Sequence, residues 1–328
     1  MSIRIAQLGT WHLHAAHHVE AARAHPDTEV VAVWDRRPGE GAAFGATHGL
    51  PVAEDLTQLL ARADVDAVVV DTATADHDAV IATALDAGKH VFTEKVLAVT
   101  AEGAERLAAL ALHRGLALGV SLPRLAHPST RTIRALVDAG ELGELTGYRM
   151  RWAHHAAVGT PWIPDHFFSL AEAGGGALID LGAHPVYVAM HFFGRVPESV
   201  QASVGHVSGR EVDDNAVLTM DFGGVFAVAE VSMVAGYFGT TLEVVGTAGS
   251  VVVEGLNGTP RVKRGPDAEW TDVEPAPAGD DPFTAWVAGV HEGASDPDHL
   301  RTAVDVTRVL EAGYRAAGTG MRVAVPAR

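Results

Sequence analysis

In the stretch GGGALIDLGAHP (174–185), Asp180 and His184 stand four residues apart. If the stretch is helical, both side chains fall on one face. A carboxylate beside an imidazole orients it and raises its basicity, the pairing that general acid–base chemistry uses. The competing reading is a capped helix with an internally satisfied histidine. Pro185 complicates the helix, because proline inside one removes a hydrogen bond. Spacing alone leaves the two readings level. Lys95 follows Glu94 at the end of HVFTEK (90–95); at the carboxyl end of a buried strand such a lysine faces a cleft, and elsewhere it is only solvated. A third stretch, GTWHLHAAHH (9–18), packs four histidines into ten residues. It stands where a dinucleotide-binding fold puts its G-x-G-x-x-G turn. Gly9 keeps the first glycine, while Trp11 and His14 occupy the other two positions.

The elements that must position these residues alternate in the first third of the chain. SIRIAQLG, EVVAVWD (29–35), DAVVVDT (66–72), HVFTEK and LALGVS (116–121) read as buried strands. Between them lie helix-forming stretches at 12–25, 55–62, 76–88 and 100–115, with an acid or hydroxyl at the start of the last three and glycine at the end of the last two. Strand–helix alternation implies a doubly wound parallel sheet. Asp35 then closes the second strand, where a carboxylate would accept ribose hydroxyls; the alternative is a surface turn residue. Arg36 and Arg37 follow it, placed to stack on adenine or to meet a 2′-phosphate.

After about residue 122 the pattern changes. One helix with a glycine-rich turn (129–144) is followed by hairpin signals at 216–234, around Gly223–Gly224, and at 241–255, around Gly246 and Gly249. These strands are adjacent, so the second sheet should be largely antiparallel. Residues 266–281 read as a Pro-rich acidic loop, and a last helix, about 298–317, places Leu300, Val304, Thr307, Leu310 and Tyr314 on one face, with the option of packing back toward the first domain. The expected organisation is α/β: a Rossmann doubly wound parallel sheet over 1–122, then an α/β domain with a large, mostly antiparallel open sheet over 123–328.

Composition removes several classes of function. The net charge of −17 speaks against nucleic acid, which needs concentrated Lys and Arg. With no cysteine, disulfides, thiolate zinc sites and cysteine nucleophiles are excluded together. No apolar run is long enough to span a membrane and no signal peptide is visible, so a soluble cytoplasmic protein is expected.

Taken in order, these motifs resemble the Gfo/Idh/MocA oxidoreductases, the family of glucose–fructose oxidoreductase and inositol dehydrogenase. Gly9–His17 resembles its glycine loop, with His17 at the last position, and DTATADH (71–77) resembles a T-P-x-x-x-H segment without its proline. GKHVFTEKVLA (88–98) resembles G-K-H-V-x-x-E-K-P-x-A with Val96 in place of proline. IRALVDAGELGEL, GGGALIDLGAHPVYV and VVGTAG resemble a linker helix, the G-G-G-x-x-x-D-x-G-x-H motif and a sheet motif. The resemblance implies NAD, with NADP an option, and hydride transfer to or from a hydroxyl-bearing carbon of a sugar, inositol or related polyol. It implies Lys95, Asp180 and His184 as the catalytic set. His184 would take the hydroxyl proton, Lys95 would stabilise charge on that oxygen, and Asp180 would orient substrate and histidine.

By the same resemblance Gly9, Trp11, His12, Asp35, Arg36, Thr72, His77, Glu94 and Lys95 would line the cofactor. The loop is expected to be rebuilt, with backbone amides near Trp11 and His12 meeting the pyrophosphate. Arg124, His155, Trp162 and His166 would contact substrate, with His127 near Arg124 and His154 beside His155 as neighbours. No metal is expected, His12 and His14 with a further histidine being the alternative ligand set. Apolar strands such as AVLTMDF are expected to leave a patch that pairs copies into a homodimer or homotetramer. Three other functions stay open: transient use of bound nicotinamide for elimination, hydrolysis or epimerisation; a non-catalytic sensor; and a metal-dependent lyase or hydrolase built on the histidines.

Overall fold

The protein's structure, a computed structural model, describes residues 2–159 and 162–326. β1 (Ile3–Leu8) leads to α1 (Ala15–Ala24), β2 (Thr28–Trp34), α2 (Pro38–His48) and α3 (Leu56–Leu60). β3 (Ala67–Val70), α4 (His77–Asp86), β4 (His90–Thr93), α5 (Ala101–Arg114) and β5 (Leu118–Val120) follow. The five strands are parallel in the order β2-β1-β3-β4-β5. β3 is buried at every residue, which explains why it reads as a continuous apolar run and not as an alternation. The expected helix signals are used: the Asp55 side chain accepts from Gln58 N, the Thr100 side chain accepts from Gly103 N, and Gly115 ends α5 at φ +64°.

The chain continues through α6 (Pro128–Asp138) and β6 (Leu145–Ala153) to three helical pieces: α7 (Leu170–Ala173), α8 (Ala177–Asp180) and α9 (Ala183–Phe193). Then come β7 (Ser199–Gly205), β8 (Asn215–Asp221), β9 (Phe226–Ser232), β10 (Gly239–Gly246), β11 (Ser250–Glu254), β12 (Arg261–Lys263) and β13 (Thr271–Asp272). The chain closes with α10 (Pro282–Glu292), α11 (Pro297–Thr319) and β14 (Val323–Ala324). The second sheet has the order β13-β12-β11-β10-β6-β9-β8-β7-β14, and every pairing is antiparallel except β6 with β9. Both expected hairpins are present, and the first turns at Gly223 and Gly224 with φ +72° and +92°.

Two compact units result. The first holds residues 1–121, 171–174 and 281–307, and the second holds 122–170, 175–280 and 308–328. The reach of the first unit into 281–307 has a packing cause. Phe283, Trp286 and Val287 of α10 join Ile3, Ile5, Val69 and Phe92 in one buried cluster. Gly119 of β5 makes room for them, because a Cβ there would lie 2.8 Å from the Trp286 ring. In the second unit α9 packs on β6 and β9, and Ala183–Met190 is buried without interruption. The other side of that sheet differs from the apolar patch expected of it. Arg149, Arg151 and Glu230 face solvent as an ion-paired group there, and Arg261 pairs with Glu254 at 2.7 Å. Strand alternation had placed the apolar residues on the helix-covered face. No helix among the described residues is long and apolar enough to cross a membrane.

Candidate active site

The histidine-rich loop of the first unit is held from three sides. Gly9 takes φ +81° against Thr72, where a Cβ would sit 2.6 Å from Thr72 Cα, so only glycine makes the turn. Asp35, at the end of β2, accepts from the Thr10 backbone N–H at 2.7 Å, the Thr10 hydroxyl at 2.8 Å and the Arg37 N–H at 2.7 Å. The Trp11 and His12 amides, expected to face a phosphate, both donate to the Asp71 carbonyl at 3.1 Å. The Trp11 ring is buried, and its indole N–H donates to Glu172 at 2.8 Å; Arg37 reaches the same carboxylate. Arg36 pairs with Asp76 at 2.8 Å.

Beneath the loop lies a cluster that the sequence did not announce. His18 of α1 is buried between two carboxylates, with Nδ1 3.0 Å from Asp71 and Nε2 3.6 Å from Glu94. Burial by itself would lower its pKa, but the charge and hydrogen bond of Asp71, with Glu94 behind, raise it to about 9. His18 is therefore an imidazolium at neutral pH. Gln7 completes the cluster by donating to Asp71 at 2.8 Å and to the Gly9 carbonyl at 2.9 Å. Burial also pushes upward on the Glu94 carboxyl, yet the imidazoles of His12, His14 and His18 hold it well below the usual range. Burial lowers His12 itself to about 4.

His12, His14 and Glu94 bring their ligating atoms within 4.8 Å of one another, a grouping able to hold a metal ion. Each already has protein partners here. His14 Nδ1 lies 2.8 Å from Glu94, and His12 Nδ1 accepts the His14 N–H at 3.2 Å. Lys95 is buried, its backbone N–H donating to Glu94 at 3.0 Å, and the Lys95–Val96 peptide is cis. His77, neutral because burial lowers it, sits 2.8 Å from the Val96 carbonyl. Thr72 Oγ1 is buried with no hydrogen-bond partner among the described residues. An orphaned hydroxyl beside Gly9, with Asp35 at the end of β2, fits a dinucleotide as the bound group.

In the second unit the glycine-rich motif has a clear cause. A Cβ at Gly176 would lie 1.8 Å from the Asp213 carbonyl oxygen. The Asp213 carboxylate accepts from Gly176 N at 2.9 Å and Leu178 N at 2.8 Å, and the Tyr314 hydroxyl donates to it at 2.8 Å. This anchor fixes the start of α8, and hence Asp180 at its end and His184 in the first turn of α9. Asp180 and His184 thus belong to two short helices, but Leu181 and Gly182 between them keep helical angles. The Nδ1 of His184 lies 2.8 Å from the Tyr187 hydroxyl, and Trp152 stacks on the ring at 4.4 Å. Arg124 is buried with its guanidinium 5.8 Å from the Trp152 ring, and its backbone N–H donates to Tyr187 at 3.1 Å. His127 caps α6 through Ser129.

The other substrate candidates are more scattered. His154 is buried against the exposed Trp162, 5.2 Å between rings, while its neighbour His155 is exposed and His166 stacks on Phe167. Sequence reasoning passed over His18, Tyr187, Trp152, Asp213 and Glu172. For Tyr187 a signal existed, since it stands one helical turn after His184. For His18 and Asp71 none did, because their meeting depends on the β1-β3 pairing.

Comparison with known proteins agrees with this architecture. Residues 3–122 match the model of an oxidoreductase family with an NAD-binding Rossmann fold, and residues 130–252 match the GFO/IDH/MocA C-terminal domain. The chain belongs to the Gfo/Idh/MocA oxidoreductase family. It is 36% identical, over 66% of its length, to a dTDP-3,4-didehydro-2,6-dideoxy-alpha-D-glucose 3-reductase from Actinomadura kijaniata, and the match spans 64% of that relative, somewhat under two thirds. A 3-ketoreductase from the same organism, solved with NADP and TDP-benzene, superimposes with TM-score 0.83 at 27% identity over 96% of this chain and 98% of that one. GenD2 from gentamicin A biosynthesis, solved with NAD, gives TM-score 0.82 at 28% identity over 99% and 97%.

A buried imidazolium between carboxylates gives a direct test. His18→Gln keeps the volume and removes the imidazolium charge from between two buried carboxylates. Urea unfolding at pH 7 is expected to show a loss of about 3–5 kcal/mol. The pH dependence follows from the sign of the shift. The pKa of His18 is higher folded, about 9, than its ordinary 6.5, so its contribution is complete below pH 6.5 and is lost as pH rises through 9. The parent protein should weaken over that window, and His18→Gln should lack that component of the slope.

Proposed function

We propose that the protein is a nicotinamide-dependent oxidoreductase that interconverts a hydroxyl and a keto group on a sugar or related polyol, with His184 exchanging the proton. The observation that carries this reading is the state of His184. Its Nδ1 lies 2.8 Å from the Tyr187 hydroxyl and Trp152 stacks on its ring, so the imidazole is held in one orientation, as a proton-exchanging group requires. When bound, the nicotinamide accepts or supplies the hydride at the substrate carbon. Lys95 stabilises negative charge on the reacting oxygen, and Asp180 orients the substrate. The relatives' names support a keto sugar as substrate class, including sugars carried on a nucleotide. Transient use of the cofactor, a sensor and a metal-dependent lyase have no observation in their favour beyond the His12–His14–Glu94 grouping.

In this reading Gly9, Thr72 and Asp35 hold the cofactor, Thr72 through its unpartnered hydroxyl. Trp11 and His12 shape the loop through their contacts with Glu172 and Asp71, so the amide of Leu13 and the first turn of α1 are left to meet a pyrophosphate. Asp35 disfavours a 2′-phosphate, and Arg36 and Arg37 are occupied by Asp76 and Glu172. Titration followed by tryptophan fluorescence should therefore give tighter binding of NAD(H) than of NADP(H). Equal or tighter NADP(H) binding sinks the preference, and no binding of either sinks the dehydrogenase reading.

His184→Ala should leave NAD(H) binding within about twofold of the parent and lower kcat by about 10²–10⁴ on any sugar the parent turns over. Lys95→Ala should act similarly, and the double variant should lose less than the product of the two, because both serve one oxygen. Additive losses would contradict the shared role.

The same reading includes pairing of copies through the open face of the second sheet. A hollow of about 540 Å³ lies there, lined in part by Arg149, Arg151, Glu230, Glu243, Arg261 and Trp270. A patch bearing both signs of charge can meet its own copy across a two-fold axis. Sedimentation at micromolar concentration should report a dimer or tetramer; a monomer would refute the pairing.

A further inference from the structure

One buried charge of the second unit lacks a counter-charge. Arg124, just before α6, is 5% exposed, and among the described residues its guanidinium meets no carboxylate. One terminal nitrogen donates to the Leu256 carbonyl at 3.2 Å and the other to the Ser129 hydroxyl at 3.4 Å, both long contacts to neutral oxygens. Its Nε is buried with no hydrogen-bond partner among the described residues. Arg4, Arg62 and Arg151 are all more exposed, yet each binds a carboxylate. A charge taken out of water is strongly unfavourable until a counter-charge joins it. The surroundings of Arg124 supply donors and no acid. The guanidinium lies at Ser129, in the N-terminal turn of α6, where the helix dipole is positive. Thr130 in that turn is fully buried, and its hydroxyl has no partner among the described residues. The ionisable groups that face Arg124 are the phenols Tyr187 and Tyr148 and the imidazole of His127, none of which is an anion at neutral pH.

We propose that Arg124, at the N-terminal turn of α6, takes an anionic group of the substrate, so that the sugar is an acid or a phosphate ester. That the anion belongs to the substrate rests on the role given to His184 in the proposed function. The placement joins the two residues. The guanidinium lies 5.8 Å from the Trp152 ring, and the same ring stacks on His184 at 4.4 Å. The Arg124 backbone N–H and the His184 Nδ1 also meet one Tyr187 hydroxyl. A sugar with its reacting carbon at His184 therefore has the guanidinium one indole away. The present cover of Arg124 is a turn. Leu256 and Asn257 are exposed between β11 and β12. They rest on the site through the Leu256 carbonyl and through Asn257 Oδ1, 3.1 Å from His127 Nε2. A carboxylate or phosphate presents two charged oxygens to the guanidinium fork, against the single neutral carbonyl it displaces. The chain as a whole carries −17 and repels anions, so the attraction has to be local, as it is at Arg124.

The test is calorimetric titration of the NAD-loaded protein with D-glucuronate, D-glucose 6-phosphate and neutral D-glucose, three probes that differ at one end of the sugar. The expected result is that one of the anionic probes binds at least about tenfold more tightly than glucose, as a charge-assisted contact worth one power of ten requires. The carboxylate and phosphate arms tell which anion the site takes. Arg124→Met should bring that probe down to the level of glucose. The same variant should unfold at a urea concentration equal to or above that of the parent, because a buried charge without a partner gives way to an apolar side chain of similar reach. Three results overturn the proposal: neither anion binds better than glucose, the favoured anion binds Arg124→Met as well as the parent, or the variant is clearly less stable, which makes the guanidinium a structural donor to Leu256 and Ser129. The probe comparison in the parent stands whether or not the variant folds. Because no turnover is read, the proposal can fail while the dehydrogenase reading stands. A protein that binds no nicotinamide in the fluorescence titration fails that reading, and the same probe titration without NAD then still reports on Arg124.

Discussion

The first unit depends on one buried cation. Asp71 and Glu94 stand just past the ends of β3 and β4, adjacent parallel strands, and both are fully buried. Two such carboxylates without a partner would each carry a desolvation cost of several kcal/mol. His18 supplies the partner from α1, and its ring also packs edge-on against Phe92 in the core of the same unit. One side chain thus ties the first helix to the third and fourth strands. Everything above it follows. The Asp71 carbonyl in turn accepts the Trp11 and His12 amides, which holds the loop at the end of β3. That explains how a dinucleotide loop can lose two glycines: the contacts that glycine backbone normally leaves free are made here by histidine and tryptophan to fixed partners.

The second unit solves a different problem with neutral groups. Its catalytic candidates sit on short helices, which hold little stability of their own. The Asp213–Tyr314 pair clamps the first of them by its backbone, at a spot so tight that Gly176 admits no side chain. Tyr314 is correspondingly hard to ionise, burial and the neighbouring carboxylate both raising its pKa well above the ordinary value. From this anchor the direction of α9 is set, and with it the plane of the His184 ring between Trp152 and Tyr187. One histidine held between two carboxylates and another stacked on Trp152 show how differently one residue type is held within a single sequence.

Much of this was legible in the amino-acid sequence because it is local. The five parallel strands, the capped helices and the two hairpins each carry their signal within a few residues, and the pattern of motifs was enough to reach the family. The sequence allowed the last helix to pack back toward the first domain, but nothing in α10 itself says that Phe283 and Trp286 complete the core around Phe92. The sequence marked these stretches, and the structure adds which atoms meet within them. Asp35 and Arg37 looked like direct cofactor ligands; in the structure they also hold the loop, through Thr10 and Glu172. Four histidines crowd ten residues of the sequence. Three-dimensional pairing gives them separate places: His12 is neutral and buried, His14 rests on Glu94, and His18 is the ion between the carboxylates. Such differences come from contacts more than fifty residues apart in sequence, as with His18 and Asp71, which no local pattern records.

The central claim is that the loop is built on a charged His18. Its most direct test is an NMR titration of the ¹⁵N-histidine-labelled protein, with His18 assigned by substitution. The account predicts that both ring nitrogens stay protonated through neutral pH and that the signal titrates near 9. A His18 that titrates at or below its ordinary 6.5 would contradict it.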